Sequence, residues 1–122
     1  KNRSTDDLIF LSTHEPCPMC LSAITWAGFN TIYYFFSYQE TKKTFKIVHD
    51  LDILSEVFGR SDGTFIKENY FWKCYAIKEL ISKLEPESKD SLLDITERIS
   101  SLYNSLSDEY QSKKNDNSIP LS

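Results

Sequence analysis

Two cysteines spaced three residues apart carry the clearest chemical signal in this sequence. Cys17 and Cys20 belong to the run EPCPMC at residues 15–20, and side chains at positions i and i+3 share one face of a helix. The positive end of a helix favours thiolates, so both sulfur atoms can bind one metal ion. Two cysteines make half of a tetrahedral zinc site, whereas a catalytic site normally has three protein ligands and a water molecule. A third ligand must therefore come from elsewhere.

The composition limits the class of protein. The chain has 122 residues, of which 40% are hydrophobic, and this suits one small domain with an apolar core. A formal net charge of −4 argues against an extended nucleic-acid surface, which needs clustered Lys and Arg. No window matches a membrane span or a signal peptide, and three cysteines favour metal or redox chemistry in a reducing compartment. We therefore expect a cytoplasmic protein that acts on a small molecule, with no membrane partner.

The cysteines lie inside a predicted strand–helix–strand unit. Residues 8–13 begin with the apolar run LIFL, which is typical of a strand buried on both faces. Residues 31–36 are aromatic and β-branched, which predicts a second strand. Between them we predict a helix over residues 16–27, with Pro16 in the first helical position and Gly28 after the end. A helical crossover makes the two strands parallel, so we expect an α/β fold.

The remaining chain is predicted to be helical. Asp50 is expected to cap a short helix that ends at Gly59. A second helix should follow Asn69 and end near Pro86, and a heptad seam over residues 92–106 predicts a third helix that packs on the second. The apolar stripe of the second helix consists of Tyr70, Cys74, Ile77, Ile81 and Leu84.

The cysteine motif extends into a longer stretch, STHEPCPMCLSAITWAG at residues 12–28. This stretch resembles the zinc-dependent cytidine and deoxycytidylate deaminase superfamily, and its guanine deaminases and tRNA adenosine deaminases in particular. The family signature joins a histidine-x-glutamate motif to a downstream proline-cysteine-x-x-cysteine, which residues 16–20 match. The resemblance covers residues 8–36, about a quarter of the chain. It implies a three-layer α/β/α cytidine deaminase-like fold, followed by carboxyl-terminal helices.

The resemblance also implies an activity and a set of site residues. The reaction would be hydrolytic deamination of a nucleobase or nucleoside, with a purine such as guanine favoured, and Zn²⁺ held by Cys17 and Cys20 would activate water. His14 and Pro16 are expected to border the substrate, since family members place residues of the pocket edge there. Glu15 is expected to brace the loop through hydrogen bonds to backbone amides.

The first half of the family signature is absent from this chain. Neither His14 nor His49 is followed by glutamate two residues later, since Pro16 and Leu51 occupy those positions. We therefore assign no catalytic residue within the chain, because the family's general acid/base glutamate has no counterpart. The chain is interpreted as the carboxyl-terminal part of a deaminase, which associates with an amino-terminal portion or forms a homodimer.

Three parts are expected along the chain. Residues 1–84 belong to the deaminase-like catalytic domain, residues 85–110 form a helical extension packed on it, and residues 111–122 form a mobile tail. Among the aromatic residues, Phe71 or Trp72 is a candidate for stacking on a base.

Two other classes of function remain open. The chain could be a non-catalytic deaminase-like module for binding or assembly, which the absent motif favours. Alternatively, Cys17 and Cys20 could form the CPxC dithiol of an oxidoreductase. Folds of the latter kind need a cis-proline at the start of a later strand, whereas Pro86 and Pro120 lie between helices and in the tail.

Overall fold

The architecture is a three-stranded parallel sheet with helices, in a computed structural model that describes residues 4–5, 7–60 and 64–114. The fold is therefore mixed α/β, as predicted. No helix within these ranges is both long enough and apolar enough to cross a membrane. In chain order the elements are β1 (Ile9–His14), α1 (Pro18–Trp26), β2 (Thr31–Phe36), α2 (Tyr38–Lys43), α3 (His49–Glu56), β3 (Lys73–Ala76), α4 (Ile77–Ser82) and α5 (Pro86–Lys113).

The strand order is β1-β2-β3, and both pairings are parallel. Ile9 pairs with Thr31, which in turn pairs with Lys73. The predicted pair of neighbouring parallel strands is thus confirmed for β1 and β2. Helix α1 connects them, because a parallel pair needs a crossover and cannot be joined by a tight turn.

The core lies between α1 and one face of the sheet. Ile24 of α1 packs there against alternate residues of the strands, since successive strand side chains point to opposite faces. Burying an Ile, Leu or Phe side chain stabilises a fold by about 1.5–3 kcal/mol. The buried cluster consists of Ile24, Ile32, Tyr34, Trp72 and Cys74, with Phe10, Leu21, Phe29, Phe65 and Ala76 packed against it.

The third strand was not predicted, and the prediction of a single helix after Asn69 is wrong. Residues Lys73–Ala76 form β3, with Cys74 opposite Ile32 in the register, and the helix α4 covers only Ile77–Ser82. The apolar spacing that suggested one helix arises because Cys74 is buried as a strand residue beside β2, while Ile81 is buried as a helix residue. Pairing with β2 overrides the helical spacing over four residues.

The helix ends differ from those predicted. Helix α1 begins at Pro18, two residues later than expected, because Cys17 keeps an extended backbone and is the N-cap residue. Gly28, with φ +80°, follows the end of that helix as predicted. Helix α3 begins at His49 after Val48, so the cap expected from Asp50 is wrong, and its carboxylate lies in the first turn instead.

Helix α5 includes the predicted seam and extends it. It contacts α4, the expected partner, and Ile95 and Ile99 border an apolar cavity of about 290 Å³ with Ile77 and Ile81. The helix continues through Lys113, beyond the boundary expected at residue 110. The rest of the predicted tail, residues 115–122, lies outside the described residues.

One face of β1 is uncovered. Ile9 is 63% exposed and Leu11 is 69% exposed, so the expectation of a strand buried on both faces is wrong for the described chain. β1 is an edge strand, and Phe10, which points the other way, packs against the core. The apolar run thus covers the core with one side only.

Candidate metal centre

The sulfur atoms of Cys17 and Cys20 lie 3.2 Å apart at the amino end of α1. The Cys17 backbone is extended, with φ −65° and ψ 166°, and its Sγ accepts a hydrogen bond from the Cys20 amide at 3.4 Å. Pro18 suits the first helical position because the amide hydrogen that it lacks would have no helical acceptor. Capping of the helix by Cys17 therefore brings the two sulfurs close together. Both side chains are half-buried.

The protonation of Cys20 depends on the short distance between its sulfur atom and that of Cys17. The hydrogen bond with the Cys17 thiol raises the pKa of Cys20, and burial and the negative charge of Asp50 act in the same direction. Two thiolates at this distance would repel each other, which favours the protonated form of Cys20. A bound cation reverses this balance because it stabilises both thiolates.

The two cysteines fit half of a zinc site. Zn–S bonds of about 2.3 Å in a tetrahedron place two sulfurs about 3.8 Å apart, so the pair has to open by roughly half an ångström. Across the described ranges no group of three His, Cys, Asp or Glu residues is placed to hold a metal ion. The two cysteines alone would supply two of the three protein ligands that a catalytic zinc site normally has.

Glu15 and Pro16 form the loop that leads from β1 to the pair. Glu15 is 6% exposed, and its amide donates to the Phe36 carbonyl at 2.8 Å. Its carboxylate accepts a hydrogen bond from the Tyr38 amide at 2.8 Å and pairs with Lys67. The Tyr38 hydroxyl donates to the carbonyl of Pro16, which is buried. This loop lies at the carboxyl end of β1, the edge of a parallel sheet where binding sites form.

His14 lies in an aromatic cluster. Its ring centroid is 5.2 Å from that of Phe36 and 5.4 Å from those of Phe45 and Tyr103. Burial lowers the pKa of the imidazole, although the charge of Asp50 opposes this effect. His14 borders a cavity of about 150 Å³ with Phe45 and Tyr103. Its role beside a substrate stays a prediction.

A separate cavity of about 280 Å³ opens beside Cys17. Its volume is close to the lower limit for small-molecule pockets. The two proposed stacking residues, Phe71 and Trp72, do not line it; Phe71 is exposed and Trp72 is in the core. The lining consists of Cys17, Pro18, Met19, Ser22, Ile53 and Phe58.

Three residues near the site were missed by sequence reasoning. Asp50 acts electrostatically on both His14 and Cys20, and burial raises its own pKa. A sequence signal did exist for Tyr38, because Ser37 and Glu40 form a capping box that places it first in α2. No local signal connects Lys67 with Glu15.

Comparison with known proteins adds no relative. No protein-family model, no curated protein and no solved structure matches the chain. The link to zinc deaminases therefore stays a resemblance, and residues 12–28 carry it.

Proposed function

We propose that this chain supplies Cys17 and Cys20 as two zinc ligands to a site for hydrolytic deamination of a nucleobase or nucleoside, with a purine such as guanine favoured. The observation that supports this most directly is the position of the two sulfurs, 3.2 Å apart at the start of α1 and just beyond the carboxyl end of β1. The parallel α/β arrangement is compatible with the three-layer α/β/α deaminase fold.

Zinc bound at such a site would activate a water molecule at neutral pH. Cys17 and Cys20 would hold the metal as thiolates, and the cavity beside Cys17 would receive the planar base. Glu15 cannot serve as the general base, since its carboxylate is engaged by the Tyr38 amide and by Lys67. The third ligand and the proton-transfer carboxylate would come from another polypeptide segment or subunit.

Metal content tests the ligand assignment. A protein that joins this chain to a histidine-x-glutamate segment is incubated with equimolar Zn²⁺ and desalted, and the retained zinc is measured by mass spectrometry. The Cys17→Ser, Cys20→Ser double variant should retain far less zinc than the wild type. Cys74→Ser is the matched control, because Cys74 is buried in the core away from the pair. Equal zinc content in all three proteins would refute the assignment.

Ammonia release tests the reaction. A protein that joins this chain to a histidine-x-glutamate segment is assayed with guanine, cytosine, cytidine and adenosine. We expect release from at least one of these, most strongly from guanine, and loss of activity in the double cysteine variant. If the protein retains zinc and releases no ammonia from any of them, the alternative of a non-catalytic binding or assembly module is correct.

One observation favours a second candidate, a dithiol oxidoreductase, because two free thiols 3.2 Å apart are placed to form a disulfide. The expected cis-proline is lacking, since no peptide bond in the described part of the chain is cis and Pro86 begins α5. Catalysis of insulin reduction by the wild type, lost in the double cysteine variant, would establish this function.

A further inference from the structure

We infer that Tyr38 and Lys67 are positioning residues for the cysteine pair, which they orient through the turn formed by Glu15 and Pro16. This inference rests on the proposed metal-binding role of the pair. Both residues are distant from the turn in the sequence; Tyr38 contacts it from α2 and Lys67 from the loop before β3.

Tyr38 holds the turn at two points. Its backbone amide donates to the Glu15 carboxylate at 2.8 Å, and its hydroxyl donates to the Pro16 carbonyl. That carbonyl belongs to the planar peptide unit that ends at the Cys17 nitrogen, so fixing its oxygen also fixes the direction in which Cys17 leaves the turn. Tyr38 is itself 3% exposed and begins α2, whose first turn is locked by its capping box.

Lys67 contacts the turn from the loop that precedes β3. Its ammonium group pairs with Glu15 and lies 3.6 Å from the centre of the Phe65 ring. Its backbone carbonyl accepts a hydrogen bond from the Cys74 amide at 2.7 Å, which ties Lys67 to β3. A buried carboxylate is costly without its partner. Removing the ammonium group should therefore let Glu15 leave its position, and this would release the turn.

Groups that orient metal ligands without touching the metal typically alter metal affinity by about 10- to 100-fold. The same range is expected here, because Glu15 and Pro16 immediately precede the first cysteine. We therefore expect Tyr38 and Lys67 to influence the positions of the two sulfurs in addition to the stability of the fold.

The test is titration of the full chain with Co²⁺, followed by the thiolate-to-cobalt absorption. Tyr38→Phe and Lys67→Met should each weaken Co²⁺ binding at least about tenfold. Lys67→Arg should remain within about threefold of the wild type, because it keeps the charge. All proteins are compared at a temperature at which circular dichroism shows each to be fully folded.

Two control variants separate positioning from general damage. Tyr33→Phe removes a hydroxyl from a ring that stacks on Tyr75, and Lys73→Met removes the neighbouring ion pair with Glu68. Neither residue contacts the turn, so both should bind Co²⁺ within about twofold of the wild type. Affinities in Tyr38→Phe and Lys67→Met that match these controls would overturn the inference.

A second measurement tests the positioning role even if the wild-type chain binds no cobalt. Absence of cobalt binding would count against the proposed function and not against the positioning role. The chain is equilibrated with glutathione disulfide, which takes two electrons from Cys17 and Cys20 and becomes two glutathione thiols as their disulfide forms. Burial raises the pKa of Cys74 to about 11, so that thiol competes poorly. Tyr38→Phe and Lys67→Met should shift this equilibrium constant at least threefold. An unchanged constant would then refute the positioning role.

Discussion

The indole nitrogen of Trp72 donates a hydrogen bond to the Thr25 hydroxyl at 2.8 Å. The same hydroxyl donates to the Leu21 carbonyl at 2.7 Å, so one oxygen serves both α1 and the residue that precedes β3. Trp72 is buried, and buried polar groups need a hydrogen-bond partner. This contact joins the cysteine helix to the strand that the sequence did not reveal.

Replacing Thr25 with Val should destabilise the fold by about 1–3 kcal/mol, because it leaves the buried indole N–H without an acceptor while it keeps the side-chain shape. Urea unfolding followed by tryptophan fluorescence measures the change. Ser22→Ala is the control on the same helix, since its hydroxyl donates to the Pro18 carbonyl at an exposed position, and it should stay within about 0.5 kcal/mol. Equal stability of the two variants would contradict the prediction.

Two glycines provide a matched pair for backbone strain. Gly28 and Gly59 both have positive φ, +80° and +65°, but only at Gly28 does an added methyl group meet another atom, the Thr5 hydroxyl, at 2.9 Å. Gly59→Ala should cost about 1–2 kcal/mol from the left-handed backbone alone. Gly28→Ala should cost more, because Thr5 also has to move. Thermal unfolding of both variants checks the order, and a smaller loss for Gly28→Ala would contradict it.

His14 should make stability depend on pH. Burial lowers the pKa of its imidazole, so the unfolded chain takes up a proton at a higher pH than the folded chain does. The stabilising contribution is complete above the unfolded value of about 6.5 and is lost as pH falls through the lowered folded value. Urea unfolding between pH 7.5 and 5 should therefore show a slope that His14→Phe reduces. An unchanged slope in His14→Phe would contradict this prediction.

The 122-residue chain by itself should be catalytically inert. Two thiolates without a third protein ligand hold zinc weakly, and the missing proton-transfer group is typically worth about 10² to 10⁴ in rate. Ammonia release is compared for the chain alone, for the chain joined to a histidine-x-glutamate segment, and for a mixture of the chain with that segment as a separate polypeptide. Robust deamination by the chain alone would show that one of its own residues carries the proton.

Local sequence patterns predicted the part of the fold that forms locally. The first two strands and the helix between them follow from apolar runs, from Gly28 and from the turn residues around them. β3 was missed because only four residues form it and their burial depends on pairing with β2. This pairing, as of Thr31 with Lys73, joins distant parts of the chain. Intrinsic preference cannot reveal such a strand, since its environment is supplied by tertiary contacts.

The candidate site was likewise predicted only where its residues are close in the sequence. Cys17, Cys20 and Glu15 were identified from one contiguous motif, and the structure brings the two sulfurs together. The contacts of Tyr38 and Lys67 with Glu15 cross the chain, so no local pattern could indicate them, although the capping box could place Tyr38 at the start of α2. His14 was placed at the end of its strand, but its packing against Tyr103 of α5 was beyond prediction because the docking of that helix was unknown.

The parallel strand order also dictates a folding sequence. Pairing of Ile9 with Thr31 closes a loop that holds only α1, whereas pairing of Thr31 with Lys73 closes a longer loop that holds α2 and α3. The longer loop has the larger entropic cost of closure, and such non-local pairings form slowly. We therefore expect the two thiols to meet early, while α1 and the first strand pair assemble, and before Lys67 arrives with the last strand.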